Sequence, residues 1–574
     1  MRRRLFFVIF IHIPLVTIFA QEALKSTEEE YYDFLSLTGV TERPTLGYRT
    51  LSDSVWKFNE KETAVLDADG NPVPGEDGKT ATEKTVPEHV WQGNNLGTKR
   101  TLWQSDNQGN NWFTRGFDHS IKFKAYGPEW FNSFNTAAPY GQNDGALWQG
   151  KGYNTSLTGG ARLEAYGFEV TIKPQVSFSQ NQSFEIMPSA GKNEYGYFQP
   201  GIDLPQRFGD SAFWTFDWGD TEIRWTWRTF TIGFGTQAPW LGPAWLNPML
   251  GSNNAASYPK IDLGLRKTSV YMPYFGWYIG DVEGRIWTGC LEESEYFDNT
   301  TDNNYRMLNA LSLSFAPSFI PGLTIGLNRI FITRWKAKNL QYLGRLFTTS
   351  RANGTGDDGE DQKASLFADW KFPRVGFEVY GEYGFDDFSD NIAHTAIYTV
   401  GVKQNIPLPR LSGIKSELII EVNTFEMSQD FQLEWPYSGF YSHGTITQGY
   451  TSKGQILGAG TGYAGSSQYL GYRLYYAKGS SCLFFQRSCP DNNYILSKSI
   501  NKRLSDTDSN GIKVTEYRAC YKTIFTFGFS QQYFVTRNLR IFGSYELSFL
   551  QYTDYLNRDT SCNHRIVIGG KWGW

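Results

Sequence analysis

NTSLTGGARLEAYGFEVTIKPQVSFSQN, residues Asn154 to Asn181, sets apolar and polar residues in strict turn on either side of Tyr166–Gly167. In the first arm Thr155, Leu157, Ala161 and Leu163 alternate with Asn154, Ser156, Thr158, Arg162 and Glu164. In the second, Phe168, Val170, Ile172, Val176 and Phe178 alternate with Glu169, Thr171, Lys173, Gln175, Ser177 and Ser179. Period two is the signature of a β-strand, whose successive side chains point to opposite faces. The break at Tyr166–Gly167 is long enough only for a hairpin turn. Each arm is about twice the usual globular strand of roughly five or six residues. A bilayer asks for this length, because a tilted transmembrane strand needs roughly 9–11 residues with an apolar outer face.

The same alternation recurs along the chain. Glu222, Arg224, Thr226 and Arg228 alternate with Ile223, Trp225 and Trp227; Glu378, Tyr380 and Glu382 with Phe377, Val379 and Tyr383; Arg540, Ser544 and Glu546 with Leu539, Ile541 and Tyr545. A charge facing lipid costs roughly 2–4 kcal/mol at mid-bilayer, so the charged faces must point inward. Short turns at Tyr166–Gly167, Thr229, 273–275, 316–322, 372–376, 406–413, 477–480 and 531–538 alternate with longer polar segments. That is the sidedness of an outer-membrane barrel, with short periplasmic turns and long external loops. About nine external loops imply about 18 strands, and a strand-like GFDHSIKFKAYG (116–127) leaves about 20 open. The expected fold is an all-β, transmembrane, antiparallel up-and-down barrel with a short N-terminal periplasmic helical segment.

Composition agrees. The 574 residues include 42 Phe, 34 Tyr and 19 Trp, an aromatic load suited to girdles at two membrane interfaces. Mean hydropathy is -0.44, and no run after the N-terminus approaches the roughly 18 apolar residues of a membrane helix. A net charge of -4 without a basic block argues against nucleic acid as a partner. MRRRLFFVIFIHIPLVTIFA reads as a secretory signal over residues 1–20, cut after Ala20. Residues 21–110 read as a periplasmic N-terminal region. Within it, 22–40 form one helix with Ser26 and Glu29 as a capping box, packed against the barrel mouth, and 59–97 an irregular insert. Residues 111–574 read as the barrel. The closing RIVIGGKWGW puts Ile566, Ile568, Trp572 and Trp574 on one parity, the shape of an outer-membrane assembly signal. Outer-membrane lipids and the barrel assembly machinery are therefore expected partners.

Catalytic signals are missing. Six His are present, and no GxSxG, HExxH or Gly-rich phosphate loop accompanies them, so neither an enzyme nor a cofactor is expected. Asp118–His119 lacks a partner Ser. DADGNPVPGEDG (67–78) lacks most ligands of a calcium loop, and DDGED (357–361) reads first as a solvated loop. Of five Cys, Cys482 and Cys489 could close a small disulfide loop. QAPWLGPAWLNPMLGSNNAASYP (237–259) admits two readings. Trp240, Trp245 and Tyr258 with Asn247, Asn253 and Asn254 have the chemistry to stack on and hydrogen-bond sugars. Alternatively the aromatics form a girdle and the Pro and Asn residues shape a fold-back plug, and the residues alone favour this second reading.

GALWQGKGYNTSLTGG (145–160), IDLPQRFG (202–209), PWLGPAWLNPMLGSNNAASYP (239–259), PGLTIGLNR (321–329) and HGTITQGYTSKGQILG (443–458) together resemble the Wzi family of capsule-assembly proteins. The resemblance extends over roughly residues 28–574. It implies an 18-stranded outer-membrane barrel, closed rather than an export pore, with a lectin-like role in holding capsular polysaccharide at the cell surface; another exopolysaccharide or a lipid-linked glycan is the alternative ligand. Trp148, Asn154, Trp240, Gly242, Asn247, Asn253, Asn254, His443 and Tyr450 match family positions; all of these but Gly242, together with Trp245 and Tyr258 from the aromatic loop, are the ten candidate polysaccharide-binding residues. Ala238–Pro239 and Leu241 depart from the longer aromatic run usual there. The competing expectation is a transport porin, which the mixed-charge inward faces permit.

Overall fold

The computed structural model describes residues 26–49, 56–65, 71, 73, 80, 82–96, 101–106, 120–298, 300–348, 359–386, 397–411, 413–425, 439–491, 522–552 and 559–574. The expected signal sequence, Asp118–His119 and most of the 67–78 stretch lie outside them.

The wall strands are β1 (Lys122–Asn135), β2 (Gly152–Ala165), β3 (Phe168–Ile172 with Gln175–Ser179), β4 (Phe213–Asp217 with Glu222–Trp227), β5 (Phe230–Gly235) and β6 (Lys260–Tyr271). They continue as β7 (Tyr278–Glu292), β8 (Tyr305–Pro317), β9 (Leu323–Arg334), β10 (Glu360–Phe372), β11 (Phe377–Asp386) and β12 (Tyr398–Asn405). The last six are β13 (Lys415–Thr424), β14 (Ser466–Tyr476), β15 (Gly479–Cys489), β16 (Thr523–Phe534), β17 (Leu539–Gln551) and β18 (Thr560–Trp572). Each pairs antiparallel with the next, and β18 closes on β1 through Arg565↔Asn135 to Lys571↔Glu129. The ring therefore has 18 strands. Of the GFDHSIKFKAYG stretch, Lys122 onward belongs to β1. The flanking Trp103–Gln104 pairs only with Phe123 and Lys122 and adds no strand to the wall.

The opening hairpin is β2 and β3. Tyr166 and Gly167 both take positive φ, 51° and 82°, as a two-residue turn matched to strand twist requires. Pro174 interrupts the β3 ladder because it has no N–H, yet the register with β2 continues across it, from Ala161↔Ile172 to Thr158↔Gln175. The alternation resolves as expected. Asn154, Ser156, Thr158 and Arg162 are buried inside, while Leu163, Phe168 and Ile172 stand on the outer surface. Glu222, Arg224, Glu378, Glu382, Arg540 and Glu546 also point inward, and Ile223, Ile541 and Tyr545 outward.

The outer band has a measurable consequence. Ile568, 66 % exposed midway along β18, is expected to cost roughly 2–4 kcal/mol of folding stability when changed to Lys. Urea titration of the chain folded into lipid vesicles reads this, and a neutral result would mean that this face does not meet hydrocarbon.

Helix α1 (Thr27–Leu37) seals the end that carries the short turns. The Ser26 hydroxyl caps it by accepting from Glu29 N at 3.1 Å, while the Glu29 carboxylate accepts from the Trp56 indole at 2.9 Å. Tyr31, Phe34 and Leu35 pack with Trp91 and Tyr475, and Trp91 Nε1 donates to Tyr476 O and Gly479 O beside the β14–β15 turn. The polar face is acidic and the facing wall basic. Glu28 pairs with Arg540 and Lys571 (3.2 and 3.3 Å), Glu30 with Arg473 (2.6 Å), and Asp33 with Lys403 (2.6 Å), Lys371 (3.4 Å) and Arg43. Desolvation would raise the Asp33 carboxyl, but Arg43, Lys403 and Lys371 outweigh it and hold Asp33 well below the usual carboxylate range. A depressed folded value adds stability above the free-carboxylate pKa, about 4, and that stability is lost only as pH falls further. Protection of the α1 amides from hydrogen exchange, taken relative to the intrinsic rate at each pH, is thus expected to be the same at pH 7 and 5 and lower at pH 3; loss of protection between pH 7 and 5 would contradict this docking.

Cys482 and Cys489 are both free; Cys482 is the fourth residue of β15 and Cys489 its last. Seven residues of extended chain separate them by about 20 Å, far beyond the roughly 4.4–6.8 Å Cα span of a disulfide, so the bridge considered from sequence does not form.

Candidate functional site

The long loops gather at the other end, and one of them turns inward. The segment 236–259, between β5 and β6, enters the lumen because the wall offers carboxylates to its backbone. Glu421 on β13 accepts from Trp245 N (2.6 Å), Leu246 N (3.0 Å), Asn247 N (2.8 Å) and Asn247 Nδ2 (3.1 Å), and from the Tyr380 hydroxyl at 2.7 Å. Glu382 on β11 accepts from Met249 N at 3.3 Å. From the opposite end, Glu283 on β7 accepts from Leu46, Gly47 and Tyr48 N at 2.8–3.1 Å. The two insertions meet: Trp240–Leu241 pairs antiparallel with Tyr48–Arg49. Gly47 must be glycine, since a Cβ would lie 2.4 Å from both Phe367 and Ser314.

Around this junction Tyr48, Leu241, Met249, Leu250 and Tyr258 form an apolar core inside the barrel. Trp287, Ile330, Tyr441 and Tyr450 complete it from the wall and the 439–465 loop. The lumen is therefore filled by protein among the described residues.

Above the plug lies a cleft of about 300 Å³ between the 136–151 loop, Asn254 and the 454–462 turn, floored by the outer ends of β15 and β16. Tyr140, Gln142, Asp144, Trp148, Gln455 and Thr461 contribute side chains. The Trp148 ring is half-buried and packs on Phe208 at 4.9 Å. Its backbone carbonyl accepts from the Ser179 hydroxyl, while its indole Nε1 has no hydrogen-bond partner among the described residues. Gln142 donates Nε2 to Asn247 Oδ1 at 2.6 Å, and Gln455 accepts through Oε1 from Ala256 N at 3.1 Å. Desolvation pushes the Asp144 carboxyl above its ordinary range. Aromatic faces with polar groups around them can hold a ligand that is flat and apolar on one side and hydroxylated at its edge.

The ten residues singled out from sequence divide between cleft and scaffold. Trp148 and Asn254 line the cleft; Asn254 also spans two segments, donating to Ile456 O (3.0 Å) and accepting from Asn143 N (3.4 Å). Asn154 is buried and donates to Gly150 O and Gly152 O. Trp240 and Trp245 lie inside the plug, the first donating to Ala244 O and the second packed at a tilt on Tyr469, 4.9 Å between ring centres. Asn247 is held by Glu421, Asn253 O accepts from Gly145 N, and Tyr258 belongs to the inner core. Tyr450 donates to Leu250 O at 2.6 Å. The His443 ring accepts from Thr445 N and Ile446 N, a loop brace. The fold-back plug is thus the reading of 237–259 that the structure takes. Tyr140, Gln142, Asp144 and Gln455 were not singled out from sequence; ordinary loop residues carry no local mark of the cavity that long-range packing makes around them. Asp361, the last residue of DDGED, pairs with Lys363 at 3.0 Å, and no metal-ligating cluster occurs among the described residues.

The family model described as capsule assembly protein Wzi matches residues 132–487, from within β1 to within β15. Among solved structures, Wzi of Escherichia coli is described as an outer membrane protein involved in group 1 capsule assembly and as a carbohydrate-binding β-barrel. It superposes with a TM-score of 0.51 at 12% identity, covering 78% of this chain and 84% of that one. A BenF-like porin from Pseudomonas fluorescens reaches a TM-score of 0.38 at 9% identity, covering 79% of this chain and 99% of that one, a likeness too loose to bear on function. No curated protein sequence matches this chain. With the match extending over more than half of its length and a closed 18-stranded ring to go with it, the chain belongs to the Wzi family of outer-membrane capsule assembly barrels.

Proposed function

We propose that this protein binds polysaccharide, capsular or exopolysaccharide, on the outer face of the outer membrane and helps to anchor it there. The observation that carries the reading is the outer cleft, in which Trp148, Tyr140 and amide side chains converge above a lumen closed by protein. A sugar ring laid on an aromatic face gains contact with its C–H groups, and surrounding amides bond its hydroxyls. Each contact is weak, and retention comes from many repeats on one chain meeting many barrels in the membrane. Trp148 and Asn254 are the sequence-derived candidates we place in contact with glycan, joined by Tyr140, Gln142 and Gln455. The other eight support them by holding the plug and the loops. The role is binding without catalysis. The apolar outer band is solvated by outer-membrane lipid, and the terminal strand β18 is the segment offered to the barrel assembly machinery.

A deletion strain, scored for surface-retained against released polysaccharide, tests the reading. Retained glycan is expected to fall and released glycan to rise. Trp148→Ala is expected to weaken retention of purified polysaccharide on the micelle-solubilised protein about tenfold, the loss of roughly 1–1.5 kcal/mol of ring contact. Unchanged pools in the deletion strain would sink the proposal.

A further inference from the structure

We infer that the outer cleft selects a neutral sugar unit over a uronic acid or other anionic one, because the carboxylate of Asp144 stands among uncharged amides, hydroxyls and aromatic rings. The inference rests on the glycan reading and concerns its specificity.

Among the described residues, Asp144 is the one lining side chain with a formal charge. It is held in place by its own loop, where Leu147 N donates to Asp144 O at 3.2 Å. The cation whose field reaches it is Arg565 on β18. That guanidinium is already engaged. Its Nη1 donates to Glu546 Oε1 at 2.6 Å, and its Nε and Nη2 both donate to Gln149 Oε1 at 3.1 and 3.0 Å. The Arg565–Glu546 pair is neutral as a unit, and the fork that would grip a sugar carboxylate in bidentate fashion is turned onto the protein.

What remains for a ligand suits hydroxyls. A carboxylate accepts strong, charge-assisted hydrogen bonds from O–H donors, which every neutral hexose carries. Gln142 has its amide nitrogen committed to Asn247 and Gln455 its carbonyl to Ala256. One can therefore turn a carbonyl to the ligand and the other an amide NH₂, the mixed set that a hydroxyl, donor and acceptor at once, requires. An incoming carboxylate would find no cation among the described lining residues and would meet Asp144 at close range in a partly desolvated cleft, where like charges repel most.

The test uses the full chain in detergent micelles at pH 8 and low salt. The probes are immobilised oligosaccharides of two kinds: neutral hexose and N-acetylhexosamine oligomers, and oligogalacturonides with oligoglucuronides. Neutral probes are expected to bind at least about tenfold more tightly than uronic ones. Asp144→Asn is expected to raise the uronic-to-neutral affinity ratio about tenfold. A second reading needs no variant: raising salt from about 20 mM to about 500 mM is expected to narrow the gap, because screening weakens the repulsion. A preference for uronic probes, or a gap indifferent both to salt and to Asp144→Asn, overturns the inference and leaves the glycan reading standing. Binding to neither class, with unchanged polysaccharide pools in the deletion strain, overturns both.

Discussion

Glu421→Ala combined with Glu283→Ala is expected to turn an electrically silent barrel into a conducting one. Each carboxylate gathers backbone N–H groups that have no water to turn to: three from Trp245, Leu246 and Asn247 on Glu421, and three from Leu46, Gly47 and Tyr48 on Glu283. A hydrogen bond to a charged group contributes about 1.5–3 kcal/mol, and a donor left buried and unpaired costs about as much. Removing either anchor weakens the hold on its inserted segment by the hydrogen bonds it loses. The two insertions also brace each other through Trp240–Leu241 and Tyr48–Arg49, so each single variant is expected to flicker and the pair to hold open. Planar-bilayer recordings of the wild type should show no steady current. A large open channel in the wild type would instead restore the porin reading. A correctly folded double variant that stays silent would mean that these anchors do not keep the plug in place.

The second large effect is expected at Asp262. Its carboxylate accepts from Arg224 at 2.8 and 2.9 Å and from Arg285 at 2.7 Å, and Glu222 meets Arg224 at 3.0 Å, all buried inside the wall. Asp262→Ala takes from Arg285 the carboxylate it donates to and leaves Arg224 with Glu222 alone, both in a buried place. Breaking a buried pair in this way costs roughly 3–5 kcal/mol, since the surviving charge keeps its desolvation penalty and loses its partner. Asp262→Asn keeps the size and one acceptor oxygen, so it is expected to fall between the two. The measurement is the urea midpoint in vesicles, with heat-modified gel migration reporting the folded barrel. A change below about 1 kcal/mol would show that Glu222 alone can carry both arginines.

Much of this architecture is legible in the chain itself, for a physical reason that particular residues display. In Ile223, Arg224 and Trp225 the side chains must part between hydrocarbon and interior, and the penalty for the wrong face is paid locally, one residue at a time. The two-residue turn at Tyr166–Gly167 and the Pro174 interruption are likewise local. Strand identity, facing, sidedness and the helix cap at Ser26 follow from neighbours within a few positions. The Cys482–Cys489 pairing went the other way: closeness in sequence suggested a loop, and an extended strand carried the two thiols apart.

That the chain is a ring of amphipathic strands, with short turns on one side and long loops on the other, follows from the order of its residues alone, because alternation and turn chemistry are short-range. What fills the ring and where a ligand can sit depend on long-range packing. Glu421 reads as one more inward-facing charge until Trp245, Leu246 and Asn247 bring their N–H groups to it from a distant loop. Trp240, Trp245 and Tyr258 have the makings of sugar-stacking residues, yet they spend their surface on the plug and inner core, while Tyr140 and Asp144 line the cleft. A buried carboxylate and a cavity are both properties of segments far apart in the chain, and no local pattern records which of them will meet.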